Sequence, residues 1–120
     1  DNIFGYVRVN GINGFYTINV KTGEVIPCDV LNALAIGDGH PTFNNNRIIV
    51  DTYPDKSRMQ HLMMLDMETQ KVTQLLEVYQ SAKYMNQTRC DMHPRFALDG
   101  KSVYFDSVYK GKRELCRFEL

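Results

Sequence analysis

The sequence has no excess charge of either sign. Its 14 lysines and arginines balance 14 aspartates and glutamates, for a pI near 7.0. That balance leaves no electrostatic footprint for nucleic acid or an anionic membrane surface. No apolar run approaches the length needed to cross a bilayer. An initiator methionine and a signal peptide are both missing, and Asp1-Asn2-Ile3-Phe4 already reads as strand. The chain is therefore expected to be an excised segment or a mature fragment, with its compartment left open. Cysteine is scarce: Cys28, Cys90 and Cys116 are odd in number and at no metal-ligating spacing, which favours buried apolar thiols over a disulfide. There is no nucleophile elbow, phosphate loop or Cys-x-x-Cys pair. Helical patterning is nearly absent as well. At 120 residues the chain is at most one ordinary domain with a modest core.

What the chain does contain is an internal repeat. Asp38-Gly39-His40-Pro41-Thr42-Phe43 recurs as Asp91-Met92-His93-Pro94-Arg95-Phe96. Each copy runs into a polar turn, Asn44-Asn45-Asn46 or Asp99-Gly100, and then an apolar strand closing in Asp51-Thr52 or Asp106-Ser107. Agreement at so many polar positions marks a structural unit that recurs, and such a unit governs the fold assignment.

Taken in order, the chain reads as a succession of short strands. Ile3–Val9 and Phe15–Val20 flank Asn10-Gly11-Ile12-Asn13-Gly14, whose Asn/Gly pairs suit a tight hairpin turn. Lys21-Thr22-Gly23-Glu24 turns into a third strand, Val25–Leu31, with Pro27 best placed at an edge. The first repeat then gives strands at Thr42-Phe43, Arg47–Thr52, Gln60–Met67 and Lys71–Tyr79. Leu75–Lys83 has some helical character, which the repeat overrules. A polar link over Gln80–Cys90, with a glycosylation-like triplet at Asn86-Gln87-Thr88, leads to the second copy. That copy gives Arg95-Phe96, Ser102–Val108 and Glu114–Leu120. The predicted fold is all-β: consecutive four-stranded antiparallel blades of a β-propeller, fewer than three in all. Residues 1–31 would be the last three strands of one blade, 38–79 a complete blade, and 91–120 the first three strands of the next.

The run Arg95-Phe96-Ala97-Leu98-Asp99-Gly100-Lys101, followed by Phe105-Asp106-Ser107 and a Gly-containing hairpin, resembles the repeats of TolB-like β-propellers. It follows their usual Phe-Ser-Pro-Asp-Gly-Lys pattern, with Ala97 and Leu98 in place of Ser and Pro; Asn44-Asn45-Asn46 departs further. Within that group, Asp-x-His-Pro ahead of the inner strand is most similar to the oligogalacturonate lyase-type propellers. The resemblance implies a seven-bladed propeller whose channel mouth binds Mn²⁺ chiefly through histidines. It also implies cleavage of an acidic oligosaccharide by β-elimination.

In a propeller the residues just before each inner strand sit at one mouth of the channel. His40 and His93, with Asp38 and Asp91 beside them, would then face a common space as ligands for Mn²⁺ or another divalent metal. Arg89 and Arg95 would offer bidentate partners to substrate carboxylates. No catalytic acid or base stands out. Direct ligation by both histidines requires ring nitrogens within roughly 3–4.5 Å of each other. In the competing reading His-Pro and Asp are structural, since residues that hold a blade together recur in each blade while catalytic ones usually do not. The unrepeated His61 is read as a solvated strand-end histidine. Asp51 and Asp106 are read as hairpin caps, with channel carboxylates as the alternative.

A short run of blades leaves apolar faces and ladder edges uncovered. The expected partners are therefore the remaining blades of a larger propeller, or further copies joined through open edges, together with an acidic oligosaccharide. Nucleic acid and membrane are not expected. Two functions stay open: a metal-dependent acidic-polysaccharide lyase, and a non-catalytic propeller module that binds a protein or glycan.

Overall fold

The computed structural model describes residues 1–120 and contains three antiparallel sheets stacked in chain order. Sheet one comprises β1 (Asn2–Val9), β2 (Ile12–Asn19) and β3 (Val25–Pro27). Sheet two comprises β4 (Thr42–Asn44), β5 (Arg47–Asp51), β6 (Met59–Asp66) and β7 (Lys71–Tyr79). Sheet three comprises β8 (Arg95–Phe96), β9 (Ser102–Ser107) and β10 (Glu114–Glu119). Within each sheet every strand pairs with its neighbour in sequence, so all the connections are local hairpins or short links.

The turns show why. Asn10 and Gly11 both have positive φ (48° and 82°), the geometry of a hairpin turn whose twist matches its strands. Gly100, at φ 67°, closes the β8–β9 turn. Asn45, at φ 52°, occupies the corresponding β4–β5 turn, because asparagine tolerates the left-handed region better than most side chains. Asn44-Asn45-Asn46 thus replaces an Asp-Gly turn without changing the fold.

Sheet two is apolar on both faces, and strand alternation assigns each residue a side. Ile48, Val50, Met63 and Leu65 face sheet one, where they meet Phe15 and Leu31. Ile49 and Leu62 face sheet three, where they meet Met92, Val103 and Phe105. Burying each of these large aliphatic side chains contributes roughly 1.5–3 kcal/mol over leaving it exposed. The middle sheet therefore joins two cores, and a perturbation on one side of β5 need not reach the other. Ile3, Ile12 and Ile26 remain exposed in sheet one, and Leu115 in sheet three.

The strand expected over Val25–Leu31 is shorter than its sequence suggests. Pairing ends at Pro27, and a single helical turn, α1, covers Asp29–Asn32. The turn carries Leu31 into the core and aims the Asn32 side chain at β2. There Asn32 Oδ1 accepts from the Phe15 N–H at 2.6 Å, and its Nδ2 donates to the Phe15 carbonyl at 3.2 Å. Lys71–Tyr79 is strand throughout, and its register against β6 shifts once, between Leu62 and Met63, where Leu75 is the extra residue.

The link from sheet two to sheet three is built on buried amides. Gln60 and Gln80 both donate to the Cys90 carbonyl, at 3.0 and 2.8 Å, and the Cys90 N–H donates to Gln80 Oε1 at 3.0 Å. Asn86–Thr88 forms an exposed 3₁₀ turn in the same link. All three cysteines are free thiols; Cys90 is buried, and Cys28 and Cys116 are partly so.

Candidate metal centre

The two copies of the repeat deliver their histidines to one place. His40 precedes β4 and His93 precedes β8, and those strands are neighbours across the junction of sheets two and three. The Phe96 N–H donates to Thr42 Oγ1 at 3.3 Å between them. Pro41 and Pro94 fix the exit of the chain from each histidine into its strand. The imidazole centroids lie 4.0 Å apart with the rings at 61°.

Asp91 completes the group. One ligand atom each from His40, Asp91 and His93 lie within 4.8 Å of one another. Two imidazoles and a carboxylate form a nitrogen and oxygen donor set suited to borderline divalent ions. Three protein ligands leave coordination positions open. The residues present therefore fit such an ion.

Asp51 lies directly behind this group and is almost wholly buried, with 3% of its surface exposed. Its Oδ1 accepts from the His40 backbone N–H at 2.7 Å, and its Oδ2 from the His93 backbone N–H at 2.9 Å. His40 Nδ1 lies 3.1 and 3.2 Å from the same two oxygens. The His93 N–H is turned inward by a left-handed backbone, φ 44°, which His40 does not share. The His40 pKa is raised above its ordinary value. The hydrogen bond to Asp51 is the main cause, partial burial opposes it, and the charges of Asp51, Asp91 and Asp38 add to it.

The remaining sequence-derived candidates lie around this centre in different states. Arg89 grips Asp91 through two hydrogen bonds, Nε to Oδ1 at 2.5 Å and Nη2 to Oδ2 at 3.0 Å. Its guanidinium also stacks 3.6 Å from the Tyr53 ring centroid, and its pKa is raised, first by the Asp91 bond. Arg95 sits 3.5 Å from Asp106, half exposed. Asp38 is not in the ligand group. It borders a cleft of about 390 Å³ beside Tyr6, Arg8 and Asn13, and reaches the centre only through its charge. His61 is not a loosely solvated strand end. Its Nε2 lies 3.1 Å from Asp55 in the β5–β6 loop, and its Nδ1 3.1 Å from Gln74 on β7. Neither Asp51 nor Asp106 caps a hairpin. Asp51 joins the two histidine turns, and the Asp106 side chain pairs with Arg95 while its backbone N–H donates to the Met92 carbonyl.

Sequence reasoning missed the function of Asp51 and the stack of Arg89 on Tyr53. The signal for the first was available, since Asp51 recurs as Asp106. Its partners, however, are remote in the chain, and recurrence alone does not name them.

No protein-family model matches the sequence, and no curated protein matches it. Among solved structures, TolB from Acinetobacter baumannii superposes on 99% of this chain with a TM-score of 0.73 at 16% identity. The chain spans 27% of that protein's length. Three stacked antiparallel sheets and this superposition together give the chain the fold of a TolB-like β-propeller segment.

Proposed function

We propose that this chain contributes a divalent-cation site to a larger β-propeller that acts on acidic oligosaccharides by β-elimination. The observation that carries the reading is the convergence of His40, Asp91 and His93 from two consecutive sheets onto one point. A bound Mn²⁺ or similar ion would polarise a uronate carboxylate and so acidify the adjacent C–H. Asp91 is held in place by Arg89, and the histidine turns are held by Asp51. Arg95, half exposed and only loosely paired at 3.5 Å, is the cation free to exchange Asp106 for a substrate carboxylate. The remaining blades, or a second copy at the open edges, would supply the rest of the mouth.

A second reading is a non-catalytic propeller module that binds a protein or glycan. The observation in its favour is that both candidate substrate arginines already have carboxylate partners, Asp91 and Asp106. Calorimetric titration of the chain with Mn²⁺, alone and as His40→Ala and His93→Ala, tests the cation site. Uptake by the parent and loss in both variants supports it, and no uptake by the parent removes it. Incubating the intact protein with oligogalacturonate then separates the readings. Ultraviolet absorbance from a new C4=C5 bond marks the lyase, and binding without cleavage marks the module.

A further inference from the structure

The hydrogen bonds at His40 carry a consequence for which of its two nitrogens is available. An ionised carboxylate only accepts hydrogen bonds. Both oxygens of Asp51 lie within 3.2 Å of His40 Nδ1, so that nitrogen must carry the hydrogen. The opposite tautomer would set the Nδ1 lone pair against two buried carboxylate oxygens. The ring proton of a histidine is fixed by such a partner, and its other nitrogen is thereby left as the ligand.

We propose that Asp51 is the positioning residue of this centre: its carboxylate fixes His40 as the Nδ1–H tautomer and leaves the Nε2 lone pair for the cation. The same carboxylate holds the His93 turn through its backbone N–H, so one buried group sets both nitrogen ligands. This inference rests on the cation-site reading.

The repeat supplies an internal control. Asp106 occupies the position of Asp51 in the second copy, yet it makes no bond to an imidazole and pairs with Arg95 instead. If an aspartate at this point served only to finish a blade strand, the two copies would use it alike. They do not. The copy that bonds the ring is the one behind the ligand group.

The test is two-bond ¹⁵N–¹H correlation spectroscopy of the metal-free chain, at a pH where the rings are neutral, followed by titration with Zn²⁺. His40 is expected to show a protonated Nδ1 and a bare Nε2. In Asp51→Asn the ring should lose that fixed tautomer, and Zn²⁺ affinity should fall about 10–100-fold. Asp106→Asn should leave both unchanged. A parent chain with the proton on Nε2 of His40 overturns the proposal, whether or not Asp51→Asn folds. So does an Asp51→Asn chain that folds and keeps both tautomer and affinity. A parent with the Nδ1–H tautomer that takes up no Zn²⁺ overturns the functional reading instead, and leaves the hold of Asp51 on the ring intact.

Discussion

His40 and His93 meet with their ring centroids 4.0 Å apart, although each is delivered by a different sheet. Their backbone N–H groups both end on Asp51, so the contact exists only while sheets two and three are docked. The site and the junction between the sheets are therefore one structural unit. Anything that loosens the junction should also weaken the site.

The two faces of β5 allow that coupling to be measured. Ile49 packs toward sheet three and Ile48 toward sheet one, and both are fully buried. Truncating either to alanine should cost about 2–5 kcal/mol of stability. Only Ile49→Ala should also weaken cation binding in proportion. Chemical denaturation and metal titration of both variants check this. Equal losses of affinity in the two would mean that the site senses global stability alone.

A β-carbon at Gly39 would fall 2.5 Å from Phe15 Cζ and 2.8 Å from the Asp51 carbonyl oxygen. The second contact is backbone and cannot swing aside. Gly39→Ala should therefore cost about 1–3 kcal/mol and displace the adjacent His40 turn. Thermal unfolding gives the stability, and the His40 ring resonances report the displacement. An unchanged chain would show that this turn is free to move.

Much of the architecture could be read from the strands and their turns. Ile48-Ile49-Val50 reads as an apolar strand, and the structure buries all three, Ile49 toward sheet three and Ile48 and Val50 toward sheet one. The pairing of Arg89 with Asp91 was not legible, since the sequence offers each to a different ligand. The helical turn at Asp29–Asn32 was not legible, because it depends on Leu31 and Asn32 finding Phe15 across the sheet. Nor was the role of Asp51. An aspartate that ends a strand has an ordinary capping role, and its actual partners lie 11 and 42 residues away in sequence.

Stability should depend on pH through His40, whose folded pKa is raised mainly by its bond to Asp51. The groups that bear on it are Asp51, Asp91 and Asp38, with Arg89 and His93 adjoining. Folding then strengthens proton binding, so the contribution is complete below about 6.5, the ordinary histidine value. It is lost as the pH rises through the raised folded value. The unfolding midpoint of the parent should fall relative to His40→Gln across that interval. A pH-independent difference between them would contradict it. Cation affinity should run the other way and rise with pH, because the metal displaces a proton.

Arg89 and Asp91 should both bear on the ion. Asp91→Asn removes a charged ligand and should weaken Zn²⁺ binding most, and Arg89→Gln releases the hold on that ligand and should weaken binding less. Parallel titrations decide the point. If Asp91 serves only as the partner of Arg89, the two variants lose stability alike and affinity moves in neither.

In the proposed site one divalent ion sits between two consecutive sheets, held by His40, Asp91 and His93. Anomalous diffraction from crystals of the chain grown with Zn²⁺ tests it most directly. The account predicts a single strong peak at the junction, about 2.0–2.2 Å from one nitrogen of each imidazole and from an Asp91 oxygen. A metal peak elsewhere, or full-strength density with none at the junction, would contradict it.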